Sequence, residues 1–196
     1  MDSLFSEAEI PKDILDNLIK YGNQVTYKPK DVIILQEQYL EELYFITSGL
    51  VKFSMFSIEG GEQTFFYLGK GFFFGEYPYI SGGQKSNVTI EAGTKAQLLV
   101  FNQSIKSCLY DIEGFKKLLL RNMSLIANMT NDQVINISLD SSEQRIQKTL
   151  EAADRYFSIL NKNNGYKITL TRKEIADLSG CSVETVNRYI KTILET

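Results

Sequence analysis

The sequence predicts an α+β protein in which an N-terminal antiparallel β-roll precedes one long helix and a mostly helical C-terminal domain. Three changes of texture along the 196 residues support this order. Short apolar runs separated by glycines fill residues 24–102, a proline-free stretch with helical spacing covers 104–137, and helix-capping motifs follow it. We therefore expect one domain over residues 1–138 and a second over 139–196.

The N-terminal part begins with an expected helix over residues 7–21, where Pro11 suits the first helical turn. The runs that follow are rich in Phe, Tyr, Val, Ile and Thr, and the turns Ser48-Gly49 and Glu59-Gly60-Gly61 favour hairpins. Many short strands of this kind are typical of a roll, barrel or sandwich. The expected strands are Asp31–Leu35, Glu42–Thr47, Leu50–Ser57, Glu62–Leu68, Asn87–Glu91 and Lys95–Phe101.

A helix of about 25 residues is predicted from Gly114 onward, within a segment of about 110–138. Its apolar positions recur at spacings of four and three, which is typical of helices that pair along a seam. So long a helix needs a cover for its apolar stripe, and we expect a second copy of the chain to supply it. The alternative is that the helix packs only on its own β-domain. The positions assigned to this dimer helix are Leu119, Met123, Ile126, Thr130 and Ile137.

A break between helices is predicted at residues 139–142, where Ser141 and Gln144 can form a capping box. The helix that starts there is expected to run to about Leu160. A polar turn over residues 161–166 and a short strand over 167–170 are expected to complete this segment.

The sharpest signal is a pair of short helices near the C-terminus. Thr171 and Glu174 form a second capping box, so a helix is expected over residues 172–179. Gly180 then permits a backbone turn that residues with a Cβ resist, and Ser182 caps the next helix.

Ala176, Gly180 and Val186 have the spacing of a helix-turn-helix. A small residue lets the two helices cross closely, the glycine makes the turn, and a branched apolar residue fills the angle. The alternative is a pair of packed helices with exposed charges and no DNA function.

The second helix of the pair would enter the major groove of DNA with its first turns. Four of its residues share one face because positions i and i+4 stack along a helix. Arg188 can pair with guanine, Glu184 can accept from cytosine, and Val183 can touch a thymine methyl group. The expected base contacts are Val183, Glu184, Asn187 and Arg188, and the expected phosphate contacts are Thr171, Arg172, Lys173 and Ser182.

Composition limits the other classes to which the chain can belong. No apolar run is long enough to span a membrane and the N-terminus is unlike a signal peptide, so we expect a cytoplasmic protein without membrane contact. The two cysteines, Cys108 and Cys181, do not form a secreted disulfide framework. Histidine is absent, which argues against a metal site and against histidine-dependent catalysis, so we expect no enzyme.

The net charge of −3 is unevenly placed along the chain. Residues 138–196 hold nine Lys or Arg against eight Asp or Glu, whereas residues 1–137 hold 12 against 16. A broad basic surface for nucleic acid is therefore absent from the sequence. The DNA interpretation depends on the geometry of the C-terminal motif.

The sequence resembles the Crp/Fnr family of bacterial transcription regulators over nearly its whole length. The most specific part covers residues 171–176 and 180–188, which are very similar to the DNA-binding signature of the family. Further similarities are Leu43–Ile46 with Gly49, Gly71 with Phe74-Gly75-Glu76, and the hinge-like pair Leu139-Asp140.

This resemblance implies a cyclic-nucleotide-binding-like jelly roll, a homodimer, a palindromic promoter site and contact with RNA polymerase. It also implies that a small effector shifts the dimer helix and reorients both reading helices about residues 139–142. The effector pocket would be built from Phe74, Gly75, Glu76, Tyr77, Lys85, Ser86, Asn87, Met129 and Thr130.

This chain departs from the family pattern at residues that determine which effector a member binds. In members that bind cAMP the pocket segment ends in Arg-Ser, whereas the corresponding stretch here reads Gln84-Lys85-Ser86-Asn87 and has no arginine. Lysine lacks the bidentate fork of arginine, so cAMP is not the expected effector. Two cysteines cannot hold an iron–sulfur cluster, and the histidine of haem-sensing members is absent. The aromatic stretch 72–79 would suit an uncharged planar effector, unless its rings are ordinary core.

Several alternatives stay open at the level of sequence. The chain could be an effector-free regulator, or a cyclic-nucleotide-binding regulatory module without its own DNA function. An enzyme on a cupin-like roll is disfavoured because such enzymes hold metal with histidines. The wing that usually follows the recognition helix is not expected before Thr196, either because this member lacks it or because the chain is truncated.

Overall fold

The computed structural model describes residues 4–164 and 170–194. Seven α-helices are present in these ranges, and a single 3₁₀ turn at Gln103–Ile105 precedes the third of them. The helices are α1 (Lys12–Tyr21), α2 (Glu76–Ser81), α3 (Lys106–Tyr110), α4 (Phe115–Leu139), α5 (Ser142–Asn164), α6 (Arg172–Ser179) and α7 (Val183–Leu194).

Eleven strands form the N-terminal domain of the described chain. They are β1 (Phe5–Ser6), β2 (Asn23–Tyr27), β3 (Val32–Ile34), β4 (Tyr39–Leu40), β5 (Leu43–Ser48), β6 (Val51–Phe56), β7 (Glu62–Leu68), β8 (Phe73–Phe74), β9 (Gln84–Lys85), β10 (Thr89–Ala92) and β11 (Ala96–Phe101). Each of the six strands expected from the sequence is present, with ends that differ by two residues or fewer.

The strands form a roll of two main sheets with a small third one. The first sheet has the order β1-β7-β6-β10-β3, the second β2-β11-β5-β8, and β4 pairs with β9. All described pairings are antiparallel except β1 with β7. Apolar side chains from both main sheets, such as Phe53, Phe66, Ile46 and Leu98, fill the space between them. The predicted antiparallel β-roll is therefore confirmed.

Helix α4 lies on the roll and is fixed there by two buried amide side chains. The Oδ1 atom of Asn122 accepts a hydrogen bond of 3.0 Å from the backbone N–H of Phe73. Eleven residues further along, Gln133 donates from Nε2 to the carbonyl oxygen of Phe65 at 2.6 Å. Both amides are nearly inaccessible to solvent. Since a lost bond would leave a buried polar group unpaired, they set the rotation of α4 about its axis.

Because of this rotation, two residues that were predicted to form the dimer interface, Leu119 and Ile126, face the chain's own core. Leu119 is buried in the core of its own chain, where it packs with Phe115 and Leu118. Ile126 packs partly against the roll. The predicted length of about 25 residues and the start after Gly114 are confirmed, because α4 spans 25 residues and Gly114 has the positive φ of 79° that starts it.

Some elements differ from the sequence prediction near the ends of helices. The helix expected over residues 7–21 begins only at Lys12, because Pro11 has an extended ψ of 138°. Residues Phe5 and Ser6 pair with β7 instead. Helix α5 continues to Asn164, so residues 161–164 are helical and do not form the expected polar turn. Of the strand expected over 167–170, only Leu170 is described and it belongs to no strand; the rest lies outside the described residues.

None of the helices in the described ranges is both long enough and apolar enough to cross a membrane.

We predict that Gly71→Ala is far more destabilising than Gly60→Ala. Both glycines have a left-handed backbone, with φ of +90° and +82°, so each substitution carries a backbone cost of about 1–2 kcal/mol. A Cβ at Gly71 would also lie 1.8 Å from the carbonyl oxygen of Ala8, whereas Gly60 has open space. The free energy of unfolding, measured in urea, should fall by at least roughly 2 kcal/mol more for Gly71→Ala. Equal losses would contradict this packing of the N-terminal segment.

Candidate nucleic-acid interface and effector cavity

The two C-terminal helices form the predicted helix-turn-helix. Both halves of the capping box are present: the backbone N–H of Thr171 donates to Glu174 Oε2 at 2.7 Å, and the N–H of Glu174 donates to Thr171 Oγ1 at 3.2 Å. Gly180 ends α6 with a φ of 61°, as expected for the turn. Ser182 Oγ accepts from the N–H of Thr185 at 3.1 Å and so caps α7.

A small apolar core holds the angle between these helices. Ala176 of α6 and Val186 of α7 are both buried, and they pack with Ile146 of α5 and with Ile175. The helices α5, α6 and α7 therefore share one core, which both the helix-turn-helix interpretation and the alternative of a packed helix pair without DNA function require. The first turns of α7 are presented on a rigid three-helix unit.

The face of α7 that was assigned to base contacts points to solvent. Val183, Glu184, Asn187 and Arg188 are all exposed, although each lies on a helix whose opposite face is packed. The face carries an apolar surface, a carboxylate, an amide and a guanidinium group. Such a set can read a thymine methyl, donate to guanine and accept from cytosine.

The residues assigned to phosphate contacts are placed differently from one another. Arg172 is exposed and Ser182 and Thr171 are engaged in helix caps. The Nζ atom of Lys173 lies 3.2 Å from Oε2 of Glu62, in the N-terminal domain, and 2.6 Å from Oδ2 of Asp177, on its own helix. In this arrangement the ammonium group of Lys173 is committed to carboxylates of its own chain.

An ion-pair network joins α6 to the roll. Glu62 of β7 binds Lys173 and also Lys52 of β6, whose Nζ atom lies 3.0 Å from Glu62 Oε1 and 3.1 Å from Glu91 Oε1. Burial alone would raise the pKa of the Glu62 carboxyl group, but hydrogen bonds from Lys52 and Lys173 bring that pKa below its usual value. Burial raises the pKa of Asp177 despite its bond to Lys173.

Uncharged contacts reinforce the same junction. Gln63 donates from Nε2 to the carbonyl oxygen of Asp177 at 2.9 Å. Beside it, Leu178 packs with Leu4, Phe5 and Tyr67 of the N-terminal domain. These contacts join residues more than 100 positions apart, and no local pattern in the sequence indicated them. The helix-turn-helix is therefore docked on β7 of its own chain.

A cavity of about 270 Å³ lies between the roll, α2 and α4. Eight of the nine residues assigned to the effector pocket line it, and the ninth, Met129, is instead buried in the core between the sheets. Much of the apolar wall could not be predicted from sequence, because alternation along a strand does not say which face points inward until the register is known. The lining is Leu40, Phe53, Met55, Phe65, Phe66, Leu68, Phe74, Gly75, Glu76, Tyr77, Pro78, Gln84, Lys85, Ser86, Asn87, Val88, Ile90, Ile126 and Thr130.

Glu76, the first residue of α2, is the unusual polar group of this wall. Its side chain is only 5% exposed, and its Oε1 atom is buried without a hydrogen-bond partner among the described residues. Burial raises the pKa of the carboxyl group to about 7, an effect that a bond from its own backbone N–H partly offsets. A ligand group that donates a hydrogen bond would satisfy this oxygen.

The cation of the cavity lies at its mouth. Lys85 is two-thirds exposed and pairs with the equally exposed Glu37, with 3.4 Å between Nζ and Oε2. The hydroxyl group of Ser86 is used within its own loop, since it donates to the carbonyl oxygen of Val88 at 2.7 Å. Among the described residues that line the cavity there is no arginine.

Two protein families match the chain, one over the β-roll and the other over the helix-turn-helix. The cyclic nucleotide-binding domain family matches residues 24–106, and the crp family of bacterial regulatory proteins matches residues 168–193. The cAMP-activated global transcriptional regulator CRP of Salmonella typhimurium is 31% identical over 170 residues, which cover 85% of this chain and 80% of that protein. The chain belongs to the Crp/Fnr family of transcription regulators.

Other members of the Crp/Fnr family are also similar over most of the chain. The cAMP-activated regulator Vfr of Pseudomonas aeruginosa is 26% identical over 192 residues, covering 92% of this chain and 86% of Vfr. These relatives are transcription regulators, so the expectation that the chain is not an enzyme is confirmed.

Solved structures confirm the predicted fold class. The c-di-GMP-responsive global regulator CLP of Xanthomonas campestris has a TM-score of 0.80 at 18% identity, covering 94% of this chain and 92% of CLP. FixK2 of Bradyrhizobium japonicum has a TM-score of 0.70 at 18% identity, covering 89% and 85%.

We predict that Glu76 makes stability fall with rising pH. Below the ordinary pKa of 4.5 the carboxyl group is protonated in both states, so it contributes no difference. Between pH 4.5 and about 7 the unfolded chain ionises while the folded chain holds its proton, which favours unfolding. Relative to Glu76→Gln, the wild type should lose roughly 3 kcal/mol of unfolding free energy across this window and little above it.

Urea unfolding of both proteins from pH 4 to pH 8.5 measures this difference. The comparison isolates Glu76 because all other titrating groups are common to the two chains. Parallel pH profiles would show that the carboxyl group is solvated in the folded protein.

Proposed function

We propose that the chain is a homodimeric regulator whose two α7 helices read a palindromic promoter site, under the control of a small effector bound in the cavity. Residues 1–138 would form the sensing and dimerisation domain, and residues 139–196 the DNA-binding domain, in a cytoplasmic protein. The single observation that carries this proposal is the exposed polar face of α7 on a helix-turn-helix whose other face is packed.

The base contacts follow from the chemistry of the exposed face. Arg188 offers a fork of donors for guanine O6 and N7, and Glu184 offers acceptors for the amino group of cytosine. Asn187 and Val183 lie beside them on the same face. Arg172 and the first turn of α6 would bind phosphates, which position the helix without reading sequence.

Dimerisation is supported by an uncovered stripe along α4. The stripe has spacings of three and four, as in a coiled-coil seam. Leu120 is 66% exposed and Val134 is 56% exposed, although both are large apolar residues of a helix whose other side is buried. A second copy of α4 related by a two-fold axis would cover this surface. Its exposed members are Leu120, Ala127, Val134 and Ile137, and Met123 and Thr130 complete the spacing from half-buried positions, Met123 against the core and Thr130 at the cavity.

A path from the effector to DNA is supported by the bonds of Arg145. Its NH1 atom donates to the carbonyl oxygen of Asp140 at 2.9 Å, and its Nε atom donates to that of Ser179 at 2.7 Å. The break between α4 and α5 is thus tied directly to the turn of the helix-turn-helix. A shift of α4 would move the DNA-binding unit as one body about residues 140–141.

A shift of the DNA-binding unit must break the contacts that hold α6 on the roll, among them the ion pair of Lys173 with Glu62. While Lys173 pairs with Glu62, the reading helix is oriented by the roll of its own chain. We propose that the effector changes the balance between this docked arrangement and one that fits DNA. RNA polymerase is the proposed partner at the promoter, since the relatives CRP and Vfr are global transcriptional regulators.

We predict that Arg188→Ala removes specificity at one guanine of each half-site. The loss should be about 1–3 kcal/mol on the cognate site and much smaller on a site in which that guanine is replaced. Equilibrium DNA binding at fixed salt, on both sites, measures this coupling. Arg172→Ala is the matched control and should weaken binding evenly on all sequences while reducing the salt slope by about one. An even loss for Arg188→Ala would remove it from the base contacts.

We predict that Val134→Asp converts the dimer to monomers. A carboxylate on the stripe would be desolvated against its symmetric copy, and such burial of like charges is strongly unfavourable. Val32→Asp is the matched control, because Val32 is similarly exposed, at 48%, but lies on β3. Sedimentation equilibrium should give a monomer for the first variant and a dimer for the second. A dimer in both would place the interface elsewhere.

A further inference from the structure

The wall of the cavity is chemically one-sided. Aromatic rings of Phe53, Phe65, Phe66, Phe74 and Tyr77 line it, together with aliphatic side chains from the roll and from α4. An apolar wall of this kind binds a ligand mainly by removing apolar surface from water. At about 270 Å³, the cavity has the volume of roughly nine water molecules, enough for a compact one-ring molecule.

The Oε1 atom of Glu76 is a buried acceptor in this apolar wall. Only 5% of the surface of Glu76 is exposed, and its Oε1 atom has no hydrogen-bond partner in the described chain. A buried acceptor without a partner costs free energy that a ligand can recover by donating to it. The group therefore selects for a ligand with an O–H or N–H that can donate to this oxygen.

An anionic ligand finds no buried cation among the described residues that line the cavity. Lys85 is the cation among its lining residues, and it is held at the exposed mouth by Glu37. The Ser86 hydroxyl group is used by Val88. A phosphate drawn into the apolar wall would lose hydration without a buried donor in return, and it would face the Glu76 carboxyl group.

We propose that the effector is a small uncharged aromatic molecule whose hydroxyl or N–H group donates a hydrogen bond to Glu76. This inference rests on the proposed function, since it takes the cavity as the effector site. The ring packs on the wall that Phe53, Phe66 and Phe74 form, and its polar end lies at the start of α2. Because α4 contributes Ile126 and Thr130 to the same wall, the occupied cavity contacts the dimer helix directly.

Calorimetric titration of the full chain with three probes tests this ligand class. The first two are 4-ethylphenol and ethylbenzene, which differ by one hydroxyl group, and the third is cAMP. We expect 4-ethylphenol to bind about 10- to 100-fold more tightly than ethylbenzene, because one hydrogen bond is made to an ionisable acceptor. Binding of cAMP should be absent at the concentrations that saturate 4-ethylphenol.

Two variants assign the preference to Glu76. Glu76→Leu removes the acceptor and should bring the two ring probes to equal affinity. Glu76→Gln keeps a neutral carbonyl oxygen and should give an intermediate ratio, which serves if the leucine variant does not fold. A leucine or glutamine variant with the full wild-type ratio would overturn the role of Glu76.

Titration with DNA separates this inference from the function on which it rests. Tight binding of cAMP with no hydroxyl preference would overturn the ligand class, and so would failure of both ring probes to bind. Either result leaves the DNA-binding proposal intact if the protein still selects a palindromic site. Loss of any sequence preference for DNA would overturn the proposed function, whatever the probes show.

Discussion

The rotational setting of α4 is the constraint on which the rest of the structure depends. Asn122 and Gln133 bind backbone groups of the roll from buried positions, so the helix cannot turn about its axis without breaking both bonds. Because these two bonds fix the rotation of α4, Ile126 and Thr130 are directed to the cavity. Leu120, Val134 and Ile137, on another side of the helix, are exposed. In the proposed function, this one helix would contact the roll, the effector and the partner copy.

Coupling between the two domains follows from what lies beyond the end of α4. Arg145 ties the break after α4 to the turn of the helix-turn-helix, and Lys173 ties α6 to Glu62 on β7. The first connection moves with the DNA-binding unit, whereas the second must be given up if that unit leaves the roll. Lys173 is largely exposed, so its ion pairs contribute modestly and water can replace them. In the proposed function, so weak a junction would let the docked arrangement exchange with one that fits DNA.

Local signals were sufficient for much of this architecture. Capping boxes at Ser141 and Thr171, and the glycines at 114 and 180, gave helix ends correctly because a cap depends on neighbours three residues away. The buried face of α4 was misjudged at Leu119, because heptad spacing does not tell which side meets the protein's own roll. The contact of Lys173 with Glu62 joins distant strands and helices, so only the folded chain reveals it.

The most direct measurement is selection of DNA sequences from a random pool by the purified protein. Two α7 faces related by a two-fold axis must recover an inverted repeat, with half-site centres separated by a whole number of helical turns of DNA. The account predicts such a palindrome with a conserved guanine in each half. An asymmetric site, or no enrichment above the starting pool, would contradict it.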